Sequence, residues 1–252
     1  MITREEHGAV VVLRMQHGKA NALDIELCAE LRAAFEAERS SGARALVLTG
    51  SGSIFSAGVD LQRLLAGGQD YLAEFLPALS AVLLELIRLP LPVVAALNGH
   101  AIAGGCVLAC ASDRRLMVEG DKRGPRIGAP ELSVGVPFPL LAYESLALAA
   151  SRELLGELVV GGTLLTADEA HARGLVHRLA PPDSLEADAL AEAGRLAKIP
   201  SASFAIAKRQ LNGPLLERWA RDGAAAEAEA LDAWSSGPVL AAVRAFVEKT
   251  LG

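Results

Sequence analysis

Residues 92–110 read Pro92-Val93-Val94-Ala95-Ala96-Leu97-Asn98-Gly99-His100-Ala101-Ile102-Ala103-Gly104-Gly105-Cys106-Val107-Leu108-Ala109-Cys110. The β-branched, apolar run Val93 to Leu97 predicts a buried strand. Asn98-Gly99 breaks it, Gly104-Gly105 follows, and an apolar segment of helical type resumes. A strand that feeds a glycine-rich turn and then a helix start leaves bare backbone N–H groups at the mouth of a site. Such groups bind negative charge, either a phosphate or an oxyanion that develops during a reaction. The phosphate loop of nucleotide hydrolases is excluded. Gly105-Cys106 stands where a Lys-Ser/Thr pair would have to hold phosphate and Mg²⁺.

Outward from this stretch, Ala9 to Met15 and Arg44 to Thr49 read as further buried strands, and Arg114 to Val118 and Leu175 to Leu179 as others. Asp24 caps a helix with Leu27, Leu31 and Phe35 on one face. A helix starts near Asp60, and another runs from about Asp70 to Arg88, stopped by Pro90. Leu140 to Leu158 reads as helix. Thr166-Ala167-Asp168-Glu169 is a capping box, and Gly174 ends its helix. From Ser184 onward the chain reads as helix, with breaks at Pro200, Gly213-Pro214 and Gly237-Pro238. Alternating strands and helices followed by helices alone predict an α/β fold with a helical C-terminal region. The boundary is set between residues 1–195 and 196–252.

The chain has 252 residues, of which 52% are hydrophobic, and a formal charge of −6, which gives no basic footprint for nucleic acid. The longest apolar region, Ala78 to Leu97, is interrupted by Glu85, Arg88, Pro90 and Pro92, which argues against a membrane span. Cys28, Cys106 and Cys110 are an odd number without metal spacing, and all sit in apolar contexts; reduced core thiols are expected. With no signal core near Met1 and no Ser-Lys-Leu at the C-terminus, a soluble cytoplasmic protein is expected. His171 and His177 have no ligand spacing with any Cys or acid, so no metal is expected. His100 and Cys106 lie in the glycine-rich turn without a Ser/His/Asp set around them, and Asp113 reads as a structural cap or pair.

Two other segments carry chemistry. Phe55-Ser56-Ala57-Gly58-Val59-Asp60-Leu61 is a second small-residue turn before a helix start, with Asp60 as the ordinary N-cap. If the Val59 and Gly104 N–H groups converge, they form a two-donor oxyanion hole. Gly128-Ala129-Pro130-Glu131-Leu132-Ser133-Val134-Gly135-Val136-Pro137 surrounds Glu131 with small and apolar residues. Desolvation there raises a carboxyl pKa and makes a better base near neutrality.

With these segments in hand, the chain resembles the crotonase, or enoyl-CoA hydratase/isomerase, superfamily. Asn21-Ala22-Leu23-Asp24 resembles its early N-A-L-N element, and Phe55 to Leu61 its F-S-A-G-x-D-L. Pro92 to Asp113 resembles P-V-I-A-A-V-N-G-x-A-x-G-G-G-x-x-L-A-x-x-C-D. Pro130-Glu131 with Gly135 and Pro137 resembles P-E-x-x-x-G-x-x-P, and Leu165 to Val176 resembles L-T-A-x-E-A-x-x-x-G-L-V. The resemblance implies a spiral of ββα units with a helical C-terminal region for trimer assembly, as a homotrimer or a dimer of trimers. It implies an acyl-CoA thioester substrate, with coenzyme A as part of that substrate and no separate cofactor. Val59 and Gly104 fall on the oxyanion-hole positions. Lys19, Ala20, Ala22 and Leu23 belong to the loop along the CoA, and Ala57 lies at its adenine end. Gly58, Asp60, Leu61 and Val107 complete the substrate-binding set, and Gly67 to Leu83 is expected to shape the tail pocket.

Hydratases of this family carry two glutamates; here the first position is Val107 and the second is Glu131. A hydration needs an activated water and a managed proton, and Val107 supplies neither. Moving a double bond from C3–C4 to C2–C3 needs one base. The resemblance is therefore closest to the Δ3,Δ2-enoyl-CoA isomerases, with Glu131 as the single acid/base. Hydration or another reaction of the superfamily is the alternative, and an acyl-CoA-binding protein without turnover is a third.

Overall fold

A computed structural model describes residues 1–121 and 123–251. The chain opens with β1 (Ile2–His7) and β2 (Val10–Met15), then α1 (Ile25–Glu38), β3 (Ala45–Thr49), β4 (Ile54–Ser56), the long α2 (Leu61–Arg88) and β5 (Val93–Leu97). There follow β6 (His100–Ile102), α3 (Gly104–Ala111), β7 (Arg114–Val118), β8 (Arg126–Gly128), α4 (Glu131–Val134), α5 (Leu140–Ala149) and α6 (Arg152–Val159). The chain ends in β9 (Leu164–Thr166), α7 (Ala167–Ala172), β10 (Arg178–Ala180), α8 (Leu185–Leu196), α9 (Ser201–Trp234) and α10 (Gly237–Leu251).

One sheet has the order β1-β2-β3-β5-β7-β10 and the other β4-β6-β8-β9. Three successive units, β3-β4-α2, β5-β6-α3 and β7-β8-α4, each place one strand in the large sheet, one in the small sheet, and then a helix. Within each sheet the neighbouring strands of these units pair in parallel. This is the expected spiral of ββα units.

The large sheet explains why its strands read as unbroken apolar runs: both faces are covered. Val11, Leu13, Leu46, Leu48, Val93 and Ala95 face the main core with Leu27, Leu31 and Phe35 of α1. The alternate residues Val10, Val12, Ala45, Val47, Val94 and Ala96 face Leu185, Ala189 and Ala193 of α8. At the sheet's edge, β1 pairs antiparallel with β2 and is mostly exposed. Its charged side chains discourage further strand addition.

Several expectations are corrected. β1 is absent from the sequence reading, because an exposed edge strand shows no apolar pattern. The expected helix Leu140 to Leu158 is two helices, divided at Ala150, where Ser151 caps α6 through its side chain. The expected strand Leu175 to Leu179 is instead Arg178–Ala180, because Leu175 and Val176 bond back to Ala170 at the end of α7. Gly213-Pro214 does not break the C-terminal region; α9 runs through it. Packing overrides the local penalty of an internal proline, about 3 kcal/mol. On one side of Pro214, Lys208 donates to Asp113 (2.8 Å) and Asn212 to the Ile87 carbonyl (3.0 Å); on the other, Leu215 is buried. In α2 the two expected helices meet at Gly68, whose φ of 58° interrupts the helical backbone. α9 and α10 pack back onto α2, with α9 also against α5 and α10 against α4.

Candidate functional site

Asn21 fixes the first wall. It is buried with φ 46°. Its Nδ2 donates to the Ile54 and Phe55 carbonyls (3.2 and 3.1 Å), and its own carbonyl accepts from Ser56 Oγ (2.8 Å). The loop before α1 is thereby pinned along the turn after β4. Ala57 N–H donates to Ala20 (3.0 Å), Leu23 N–H to Gly58 (2.7 Å), and Asp60 N–H to Leu23 (3.0 Å). In this parallel bridge Leu23 takes the flanking groups, so the N–H of Val59 itself points the other way, away from Leu23.

The second wall is the start of α3. Ala103 holds the turn with φ 51° and ψ −124°, and its N–H donates to Gly128 at 2.8 Å. α3 begins at Gly104 with no side-chain cap, so its first N–H groups and the positive end of its dipole are free for a ligand. The two turns touch. A Cβ on Gly58, which has φ +87°, would stand 2.9 Å from Gly104 N and 2.7 Å from Ala103 Cβ. Gly105 likewise lies against the Ser56 carbonyl with no room for a side chain.

Glu131, first residue of α4, is the third element. Only 8% of it is exposed, and its buried Oε2 has no hydrogen-bond partner among the described residues. Burial pushes its carboxyl up to about 7. Its backbone carbonyl accepts from Gly135 and Val136 (both 3.0 Å), and Gly135, left-handed at φ 96°, closes the short helix. The carboxyl is thus placed by a tight turn, with its own backbone N–H as the only group that lowers its pKa against the burial.

These elements enclose a cavity of about 100 Å³. Ala57, Val59, Leu61, Leu79, Gly104, Val107 and Glu131 all line it. Glu131 is the cavity's sole ionisable lining residue among the described residues. Val107 is 1% exposed and purely apolar at the position the sequence singled out.

The remaining expected residues fall as follows. Leu23 is buried beside Gly104, Ala20 and Ala22 are half-buried in the pinned loop, and Lys19 is exposed there. Asp60 caps α2, accepting from Arg63 N–H at 3.0 Å. Leu79 is the contribution of the 67–83 segment to the cavity. Trp234 of α9 and Phe246 of α10 also line it. Sequence reasoning missed both, since they lie about ninety residues or more beyond the other lining residues and reach the site by tertiary packing alone.

The other polar candidates are structural. Asp113 accepts from Val93 N–H and Lys208 Nζ (both 2.8 Å). His100 Nδ1 accepts from Arg126 N–H and His177 Nδ1 from Arg115 N–H; burial and the Arg115 guanidinium lower His177 to about 4. All three cysteines are free and buried. Among the described residues no His/Cys/Asp/Glu group could hold a metal ion, and no helix is long and apolar enough to cross a membrane.

Comparison with known proteins agrees with this architecture. A putative enoyl-CoA hydratase of Thermus thermophilus is 34% identical over 258 aligned positions, covering 99% of this chain and 98% of the relative. Human mitochondrial delta3-delta2-enoyl-CoA isomerase shares the fold with a TM-score of 0.93 at 23% identity, over 98% of this chain and 97% of that one. An enoyl-CoA hydratase/isomerase from Mycobacterium paratuberculosis superposes with a TM-score of 0.85 at 26% identity, over 97% of each chain. The profile of the family described as Enoyl-CoA hydratase/isomerase matches residues 5–251. The chain therefore belongs to the enoyl-CoA hydratase/isomerase family.

Proposed function

We propose that this protein moves the double bond of a 3-enoyl-CoA into conjugation with its thioester. The observation that carries the reading is the unpartnered Glu131 Oε2, the one ionisable group among the described residues lining an apolar cavity that Val59 and Gly104 also line. In its ionised form Glu131 takes a proton from C2. The electrons of that C–H bond pass into a dienolate, whose oxygen accepts from the two N–H groups. The same carboxyl returns the proton at C4, leaving the double bond at C2–C3 and the base regenerated. An apolar cavity suits this sequence, because it keeps the Glu131 proton from exchanging with water and strengthens the two N–H contacts.

The second reading, hydration of a 2-enoyl-CoA, is favoured by the names of several relatives, the Thermus protein among them. It needs a second proton-handling group near the bound alkene. Among the described residues the cavity lining offers Val107 and no carboxylate besides Glu131. Purified protein is expected to convert 3-hexenoyl-CoA to the conjugated thioester, followed by ultraviolet absorbance. Addition of water to crotonyl-CoA should be slower by at least about 10²-fold, the usual contribution of a general acid–base group. Hydration as fast as isomerisation would overturn the assignment.

A further inference from the structure

We infer that Trp234 sets the length of acyl chain the site accepts, by separating the catalytic cavity from an open groove behind it. The inference rests on the acyl-CoA reading of that cavity. The groove has a volume of about 630 Å³ and runs along α5 and α9 over Ala226, Ala230 and Ala233. The segment Val136-Pro137-Phe138-Pro139 stands between the two spaces. Val136 and Pro139 line the cavity, whereas Pro137 and Phe138 line the groove. Trp234 lines the cavity from α9, is 2% exposed, and donates from Nε1 to the Pro137 carbonyl at 3.0 Å. The indole is thereby fastened to the dividing segment and completes the partition.

This arrangement separates two lengths of substrate. A tail that ends before the indole is enclosed by Leu79, Val136 and Phe246 and gains the full burial of its methylenes. A longer tail meets the indole. Phe138, Ala226, Ala230 and Ala233 give the groove an apolar strip, flanked by Arg218, Arg221, Asp222 and Glu229, that would receive such a tail if the indole were shortened. The partition is therefore a specificity device, built from the end of α9 of the same chain.

The test compares kcat/KM for 3-hexenoyl-CoA and 3-dodecenoyl-CoA in wild type, Trp234→Leu and Trp234→Phe. Wild type is expected to favour the shorter ester by about tenfold or more. Trp234→Leu should raise the dodecenoyl-to-hexenoyl ratio by about tenfold, because opening the wall admits several methylenes. Trp234→Phe keeps a ring but loses the N–H donor, and should leave the ratio within about threefold of wild type. If the leucine variant does not fold, Trp234→Met fills the site more adaptably and should move the ratio in the same direction. Calorimetric binding of hexanoyl-CoA and dodecanoyl-CoA to the same proteins should show the same shift without any turnover. A binding shift without isomerisation would support the partition and count against the isomerase assignment alone. An unchanged ratio in a folded Trp234→Leu protein would overturn the partition. Failure of both saturated esters to bind would overturn the acyl-CoA reading and the partition with it.

Discussion

Replacing Glu131 by Gln is expected to reduce isomerisation of 3-hexenoyl-CoA by about 10²–10⁴-fold while leaving the affinity for a saturated acyl-CoA within about threefold. The substitution keeps the shape of the side chain and removes its only means of accepting a proton. The thioester contacts proposed for Val59 and Gly104 are backbone contacts and should survive. Stability separates this outcome from unfolding. The Glu131 pKa is raised from 4.5 to about 7 by burial. The stability associated with the neutral carboxyl is fully present below pH 4.5 and is lost as pH rises through about 7. A shift of that size corresponds to about 3 kcal/mol at alkaline pH. The Gln variant, neutral throughout, should match wild type at pH 4.5 and melt at a higher temperature at pH 8.5. Retained activity in Glu131→Gln would show that another group moves the proton.

Gly58→Ala is expected to lower kcat by about 10²–10³-fold, the effect of losing one oxyanion donor. The new Cβ would meet Ala103 Cβ at 2.7 Å, Gly104 N at 2.9 Å and the Ile102 carbonyl at 3.0 Å. Two of these contacts are backbone atoms of the opposite turn, so relief comes only by separating the walls that carry Val59 and Gly104. The φ of +87° adds strain of about 1–2 kcal/mol for an L side chain. Gly174→Ala is the matched control: its φ is +75°, but nothing lies within 4 Å of the added Cβ. It should show the strain as a lowered melting temperature and leave kcat unchanged. A Gly58→Ala protein with kcat within about threefold of wild type would mean that the two turns do not act as a pair.

The sequence read most clearly where both faces of an element are buried. Val10–Met15, Ala45–Thr49 and Val93–Leu97 are apolar throughout, because α8 covers the side of the sheet that α1 and α2 do not. Elements of three residues, such as β6 and β9, carry too few side chains to show a period. The paired glycine turns were legible as turns. Their contact, and the turning of the Val59 N–H away from Leu23, depend on Asn21 pinning one loop to β4. Glu131 stood out because its neighbours are apolar, and the structure gives it the burial those neighbours imply. Trp234 and Phe246 left no such mark. An aromatic in an alanine-rich helix reads as core, and only the return of α9 and α10 onto α2, α4 and α5 brings these two to the cavity.

The central claim, that one carboxyl of raised pKa moves the proton alone, is tested most directly by the pH dependence of kcat/KM for 3-hexenoyl-CoA. That parameter reports the ionisations of the free enzyme. Glu131 must be ionised to act, so the rate should rise tenfold per pH unit below its pKa of about 7 and stay level above it. A profile already level at pH 5.5, or a bell with a falling limb from a second group, would contradict the account.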